Sequence, residues 1–127
     1  MDEHPNVAAV RAQIKALNDG DMESLRASIA PDVKWHMIGG QTIEGRDALE
    51  QMGAETMGEY SITADVHDVV GNDEHVVALV EATVTAGDQT FKYRTAEIMH
   101  VTDGVVTERW AFSDDTEAIN RFFGQFQ

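Results

Sequence analysis

Glu97 and Arg109 are the residues of this chain least suited to their surroundings. Each is an ionisable group inside a run of β-branched, aromatic and aliphatic residues, 90–101 and 105–113, the kind of segment that forms a strand. A carboxyl group among Tyr, Met and Trp has its charged form disfavoured unless a cation pairs with it. Left neutral, Glu97 donates a hydrogen bond or acts as a general acid; paired with Arg109, it stays ionised and orients a ligand. The competing reading is a cross-strand ion pair that only closes the sheet. His36 is the second candidate, because imidazole titrates near neutrality and serves as a base. Alternation puts it on the face opposite Met37, but Gly39-Gly40 beside it allows a twist that re-aims it. His67, His75 and His100 read as sheet-surface or turn residues, and no two histidines have the i, i+4 or H-x-H spacing of a metal site. No Gly-rich phosphate loop follows a strand and no G-x-S-x-G sequence occurs, so neither a nucleotide cofactor nor a serine nucleophile elbow is indicated. No cofactor and no metal are expected.

The elements that position these groups follow from periodicity. The two strands carrying Glu97 and Arg109 fold about Thr102-Asp103-Gly104, an Asp-Gly hairpin turn. Alternation then puts Tyr93, Thr95 and Met99 on the side of Glu97, Ala111 and Ser113 on the side of Arg109, and Trp35 on the side of Met37. Such a ribbon cannot hide its apolar face alone, so helices must cover it. Pro5, then Val7, Val10, Ile14 and Leu17, predict an amphipathic helix ending near Asn18-Asp19-Gly20. Asp21 caps a shorter helix carrying Met22, Leu25 and Ile29 and stopped by Pro31. Residues 33–38 form a short strand, 41–44 a loop, and a third helix starts at Gly45-Arg46-Asp47 with Leu49, Met52 and Met57 on one side. From Tyr60 the period changes to two, giving strands through Ile62, Ala64 and Val66 and through Val76 to Val84. Asp114 and Glu117 resemble a capping box ahead of a last helix with Ile119, Phe122, Phe123 and Phe126 on one side. The order is α-α-β-α-β-β-β-β-α, an α+β fold of one domain, residues 1–127.

Length and composition agree with this. A chain of 127 residues, 43% apolar and 25% charged, buries one core and is not disordered. Nine basic against 23 acidic residues give a net charge of −14, beyond the magnitude of about 2–8 usual for a small soluble domain. This field repels phosphate backbones and anionic lipid, so no nucleic-acid partner is expected; an acidic surface that serves solubility is the simplest reading. The absence of cysteine excludes disulfides, thiolate metal sites and cysteine nucleophiles. No apolar run approaches the roughly 18 residues that span a bilayer, so no membrane partner is expected. Met1-Asp2-Glu3-His4-Pro5 does not read as a signal peptide, and a cytoplasmic location is the expectation.

Three stretches, in order and suitably spaced, carry a family resemblance. They are Leu17-Asn18-Asp19-Gly20-Asp21; Pro31-Asp32-Val33-Lys34-Trp35-His36-Met37-Ile38-Gly39 with Ile43-Glu44-Gly45-Arg46-Asp47-Ala48; and Asp103-Gly104-Val105-Val106-Thr107-Glu108-Arg109-Trp110 with Asp114 soon after. Together they resemble the nuclear-transport-factor-2-like superfamily, and within it the SnoaL-like and ketosteroid-isomerase-like branch, over nearly the whole chain. The resemblance is more specific for fold than for activity. It implies a cone-shaped roll: a curved antiparallel sheet with helices packed on its concave side, enclosing an apolar pocket for a small organic ligand, and a homodimer through the convex face. In ketosteroid isomerases the first strand supplies a carboxylate base, and the matching position is Met37. The first helix supplies a tyrosine donor, matched by Gln13. The penultimate strand supplies an aspartic acid kept neutral by its apolar site, matched by Glu97. The acid on the last strand of SnoaL-like cyclases and related epoxide hydrolases falls at Ala111 or a neighbour. The function implied is a cofactor-independent isomerase, cyclase or hydrolase in which Glu97 and His36 move protons and Arg109 holds an oxygen. Trp35, Met37, Gln13, Tyr93, Met99 and Ala111 would line its pocket. The alternative is a non-catalytic ligand-binding or dimerisation domain of the same fold.

Overall fold

Pro5 opens the first helix, α1 (Pro5–Asp19), in the computed structural model, which describes residues 3–56 and 58–126. His4 caps it, its Nδ1 accepting from the Asn6 N–H at 3.1 Å, and Gly20 ends it in the left-handed conformation that a glycine tolerates. Asp21 caps α2 (Met22–Ala27) by accepting from the Ser24 N–H at 3.1 Å.

This helix is shorter than its apolar spacing predicts. Ile29 does not belong to it but begins β1 (Ile29–His36), with Pro31 inside the strand rather than ending the helix. Ser28 is the reason: its hydroxyl donates to the Leu25 carbonyl at 2.6 Å, and its own carbonyl accepts from the Val106 N–H at 2.9 Å. The chain is thereby handed to the sheet before Ile29, and a residue preceding Ala30-Pro31 already leans toward extended backbone. The segment expected to be a loop forms a short edge strand, β2 (Thr42–Glu44), paired antiparallel with β1. After it come α3 (Arg46–Thr56), β3 (Ser61–Gly71), β4 (His75–Ala86), β5 (Gln89–Thr102), β6 (Val105–Ser113) and α4 (Thr116–Gly124). Met57, expected beside Leu49 and Met52 on the third helix, lies outside the described residues.

The six strands run in the order β2-β1-β6-β5-β4-β3. All neighbours are antiparallel except β1 and β6, which are parallel, so the sheet is mixed rather than purely antiparallel. The meander β3–β6 returns its last strand alongside the first in the same direction, a pairing that periodicity does not disclose. The β5–β6 turn is as predicted, with Asp103 and Gly104 both at positive φ (52° and 78°).

Alternation divides the sheet into two faces. On the inner one, Val76, Ala78 and Val80 of β4 face Met99, Glu97 and Thr95 of β5, and α1 lays Val7, Val10 and Ile14 over Val69, Val76, Ala78, Val80, Met99, Val101 and Val106. Asn6 secures this helix: its Nδ2 donates to the carbonyls of Asn72 and Asp73, each at 3.2 Å, at the β3–β4 turn. A second cluster gathers Ile29, Ala30 and Val33 with Leu25, Trp35, Leu49 and Val105. The outer face carries rows of apolar residues across the strands, Val77–Ile98–Trp110 and Leu79–Ala96–Phe112, of which Phe112 is 58% exposed. Among the described residues no helix is long and apolar enough to cross a membrane.

At the end, α4 turns its aromatic side toward the inner face. Phe122 stacks on Phe91 at 4.9 Å, and Phe123 meets Tyr93 and Tyr60 edge-on at 6.2 and 5.2 Å. Its cap is Asp115, which accepts from the Ala118 N–H at 3.0 Å, not Asp114 as the Asp114/Glu117 spacing implied. Asp115→Ala should therefore lower stability to urea by about 0.5–2 kcal/mol, whereas Asp114→Ala should leave the unfolding midpoint within error; the reverse result would move the cap.

Candidate functional site

Glu97 and Arg109 both point to the inner face and meet there. Glu97 lies directly between Ala78 on β4 and Ala111 on β6. Two methyl side chains flank the glutamate, and Arg109 stands one inward row away, beside Met99. Its Nε and Nη2 donate to the same carboxylate oxygen, Oε1, at 3.1 and 2.8 Å. Its Nη1 donates to the His36 carbonyl at 3.4 Å, and its guanidinium carbon lies 4.6 Å from the centre of the Trp35 ring, a cation–π contact. The pair is mostly withdrawn from water, the side chains being 18% and 12% exposed.

Chemical capacity remains at this pair. No hydrogen bond from the described residues reaches Glu97 Oε2, and two of the five guanidinium N–H groups are uncommitted. A carboxylate oxygen held in place by its twin can accept a proton or a hydrogen bond, and a guanidinium can hold an oxygen beside it. Tyr93, two inward positions from Glu97, reports the electrostatics. Burial pushes its phenol up to about 12 from an ordinary 10.0; the Glu97 charge adds to this and Arg109 opposes it.

His36 does not join this group. Its side chain lies on the outer face, Nε2 2.7 Å from Glu108 Oε2, Nδ1 2.8 Å from Thr42 Oγ1, and the ring stacked on Trp110 at 5.1 Å. Strand β1 keeps a continuous register from Lys34 through His36, so Gly39-Gly40 act too late to turn the ring inward, and only the His36 backbone touches Arg109. The pairing of Glu97 with His36 as partners in proton transfer is corrected accordingly. His75 and His100 also lie on the outer face, their rings 4.7 Å apart.

The remaining candidates divide. Trp35 and Tyr93 belong to the surroundings of the pair. Met99 is 2% exposed and part of the core under α1. Gln13, from α1, is buried and donates its amide to Ser28 Oγ at 3.0 Å, tying α1 to the end of α2. Met37 falls past the end of β1, where its N–H donates to the Gln41 carbonyl at 2.7 Å. It lines a cleft of about 280 Å³ with His36, Trp110, Ala111, Phe112 and Thr116. A second cleft, of about 400 Å³, lies between β2 and α3; Glu97 and Arg109 line neither. The last helix was expected on the concave side; what sequence reasoning missed is that the phenyl groups of α4 lie beside Tyr93, at one end of the inner face. The apolar stripe at 119, 122, 123 and 126 was the available signal, but nothing in it says which side chains it meets. Among the described residues, no group of three or more His, Asp or Glu side chains could hold a metal ion.

The Tyr93 shift has a checkable sign. In the unfolded chain this phenol ionises near 10.0 and in the folded one near 12, so the stability it contributes is whole below pH 10 and is lost as pH rises toward 12. Phenolate absorbance should show a component with a midpoint near 12 that Tyr93→Phe removes, together with part of the loss of stability in alkali. A Tyr93 component with its midpoint at the ordinary 10.0 would contradict this environment.

A family model of the SnoaL-like domain matches residues 10–109. No curated protein matches the chain at a significant level. Among solved structures, an LEH-like epoxide hydrolase of M. tuberculosis superposes with a TM-score of 0.82 at 17% identity, covering 91% of this chain and 87% of its own. IdmH from Streptomyces antibioticus, a candidate polyketide cyclase, gives 0.77 at 24% identity, covering 94% and 99%. TerC, co-crystallised with polyporic acid, gives 0.81 at 22% identity, covering 95% and 99%. At these identities the structural likenesses establish the fold, a nuclear-transport-factor-2-like cone, and the family match establishes kinship: the chain belongs to the SnoaL-like domain family.

Proposed function

We propose that the inner face binds a small, largely apolar organic molecule and that Glu97 acts on it as a proton acceptor while Arg109 holds one of its oxygens, in a cofactor-independent isomerisation, cyclisation or hydrolysis. The observation that carries this reading is Glu97 Oε2: one oxygen of a largely buried carboxylate is anchored twice by Arg109, and the other has no partner among the described residues. A pair that served only to close the sheet would be expected to use both oxygens, since bidentate pairing is the stronger arrangement. The alanines beside Glu97 and the ring of Trp35 supply apolar walls, and proteins of the same fold include an epoxide hydrolase and a protein crystallised with polyporic acid.

The alternative, binding without chemistry, is favoured by Met37 and Ala111, which put no ionisable group where the resemblance expects further acids. One experiment separates the two. In a Trp110→Phe background Trp35 is the sole indole and reports on the guanidinium above it, so its fluorescence can follow binding of hydroxyquinones, cyclic ketones and epoxides. Glu97→Gln should leave binding within a few-fold and lower turnover by about 10²–10⁴-fold, the range of general acid–base catalysis. Retained binding with turnover unaffected would leave a binding protein.

The outer face supports a homodimer. Phe112, Leu79 and Val70 are exposed there, on one side of one sheet, and an apolar patch of this kind marks an interaction surface. Sedimentation velocity at micromolar concentration should show a dimer, and Leu79→Asp with Phe112→Asp should give a folded monomer. A monomeric parent chain would remove this interface.

A further inference from the structure

Three successive inward positions on β5 are polar, Tyr93, Thr95 and Glu97, between the apolar Phe91 and Met99. The middle one is the least expected. Thr95 is 7% exposed, and its Oγ1 is buried with no hydrogen-bond partner among the described residues. A buried hydroxyl left unpaired costs about 1–3 kcal/mol, and valine, of nearly the same shape, would fill the position without that cost. The strand neighbours, Val80 on β4 and Ser113 on β6, leave the hydroxyl unbonded. Packing therefore does not account for it. Thr95 sits between two groups that are themselves half-buried, Tyr93 and Glu97, and the influence of the Glu97 charge on the Tyr93 phenol spans the position it occupies.

We infer that Thr95 is a specificity-determining contact which, together with Glu97 Oε2, seats a hydroxyl group of an uncharged, largely apolar ligand. This rests on the ligand-binding reading of the inner face and adds the chemical class. An ionised carboxylate oxygen only accepts, while the threonine hydroxyl is free to donate. A ligand oxygen reaching both must donate to one and accept from the other, which an alcohol, phenol or enol does. A carbonyl oxygen has no hydrogen for Oε2. A carboxylate or phosphate would face Glu97 and a chain of net charge −14.

The test uses the whole chain and two neutral probes differing by one O–H, 2-naphthol and 2-methoxynaphthalene, with calorimetric titration at neutral pH and melting temperatures alongside. The parent chain should prefer the naphthol by about tenfold or more, the scale of a hydrogen bond to a charged group. Thr95→Val should erode that preference about fivefold, the scale of one ordinary hydrogen bond, with a melting temperature unchanged or raised. Thr95→Ser should keep the preference. An undiminished preference in Thr95→Val, or a lowered melting temperature, would overturn the assignment by showing that the hydroxyl serves packing. Equal binding of both probes to the parent chain would also overturn it while leaving the ligand-binding reading standing; failure of both to bind would remove the two together.

Discussion

The guanidinium of Arg109 is where three strands are made to agree. It stems from β6, donates twice to Glu97 on β5, and lies over Trp35 while reaching the His36 carbonyl on β1. The β1–β6 contact is the one parallel seam of the sheet, and its register slips between Ile29 and Lys34, so a side chain that grips both strands beyond the slip helps hold the cone closed. A charged tie in this position is exacting. Both partners lie largely out of water, and removing either would leave the other as a buried, uncompensated charge. The same requirement explains why one carboxylate oxygen is immobilised. The other is free because Ala78 and Ala111 bring no donor to it.

The two faces of the sheet thus carry different chemistry with one alternation rule. Inward stand the Glu97–Arg109 ion pair, the Tyr93 phenol and the unbonded Thr95 hydroxyl, among valines and alanines. Outward, the imidazoles of His36, His75 and His100 cluster around Glu108 and Trp110 beside an apolar band. Residues one apart in sequence, such as Glu97 and Ile98, or Trp35 and His36, are therefore far apart in role. The surplus of acidic residues elsewhere sets a negative field that favours neutral or basic partners without bearing on which fold forms.

α4 joins the two levels of organisation. It is capped by Asp115 and held through rings rather than through strand pairing: Phe122 on Phe91, Phe123 on Tyr93 and Tyr60. Gly39 in the turn after β1 comes so close to Asn120 that a Cβ there would lie 2.7 Å from the amide oxygen. That approach brings the last helix against the turn that follows the first strand.

Much of this was legible in the chain. The 3.6-residue spacing of Val7, Val10, Ile14 and Leu17, the period-two runs after Tyr60 and the Asp103-Gly104 turn set the elements, because helix and strand periodicities are local consequences of backbone geometry. Alternation placed Glu97 with Tyr93 and Thr95 for the same reason. It also put His36 opposite Trp35, which is what the structure shows; the glycines beyond it do not overturn that rule. What the chain could not disclose depends on contacts between distant segments. The early end of α2 is set by Val106, the parallel seam by the return of β6, the cap by Asp115 rather than its neighbour, and the ring partners of α4 by Phe91 and Tyr93. Sequence by itself determined which side of its strand each group takes; only tertiary structure decided which strands meet, since pairing is a property of two segments and periodicity describes one.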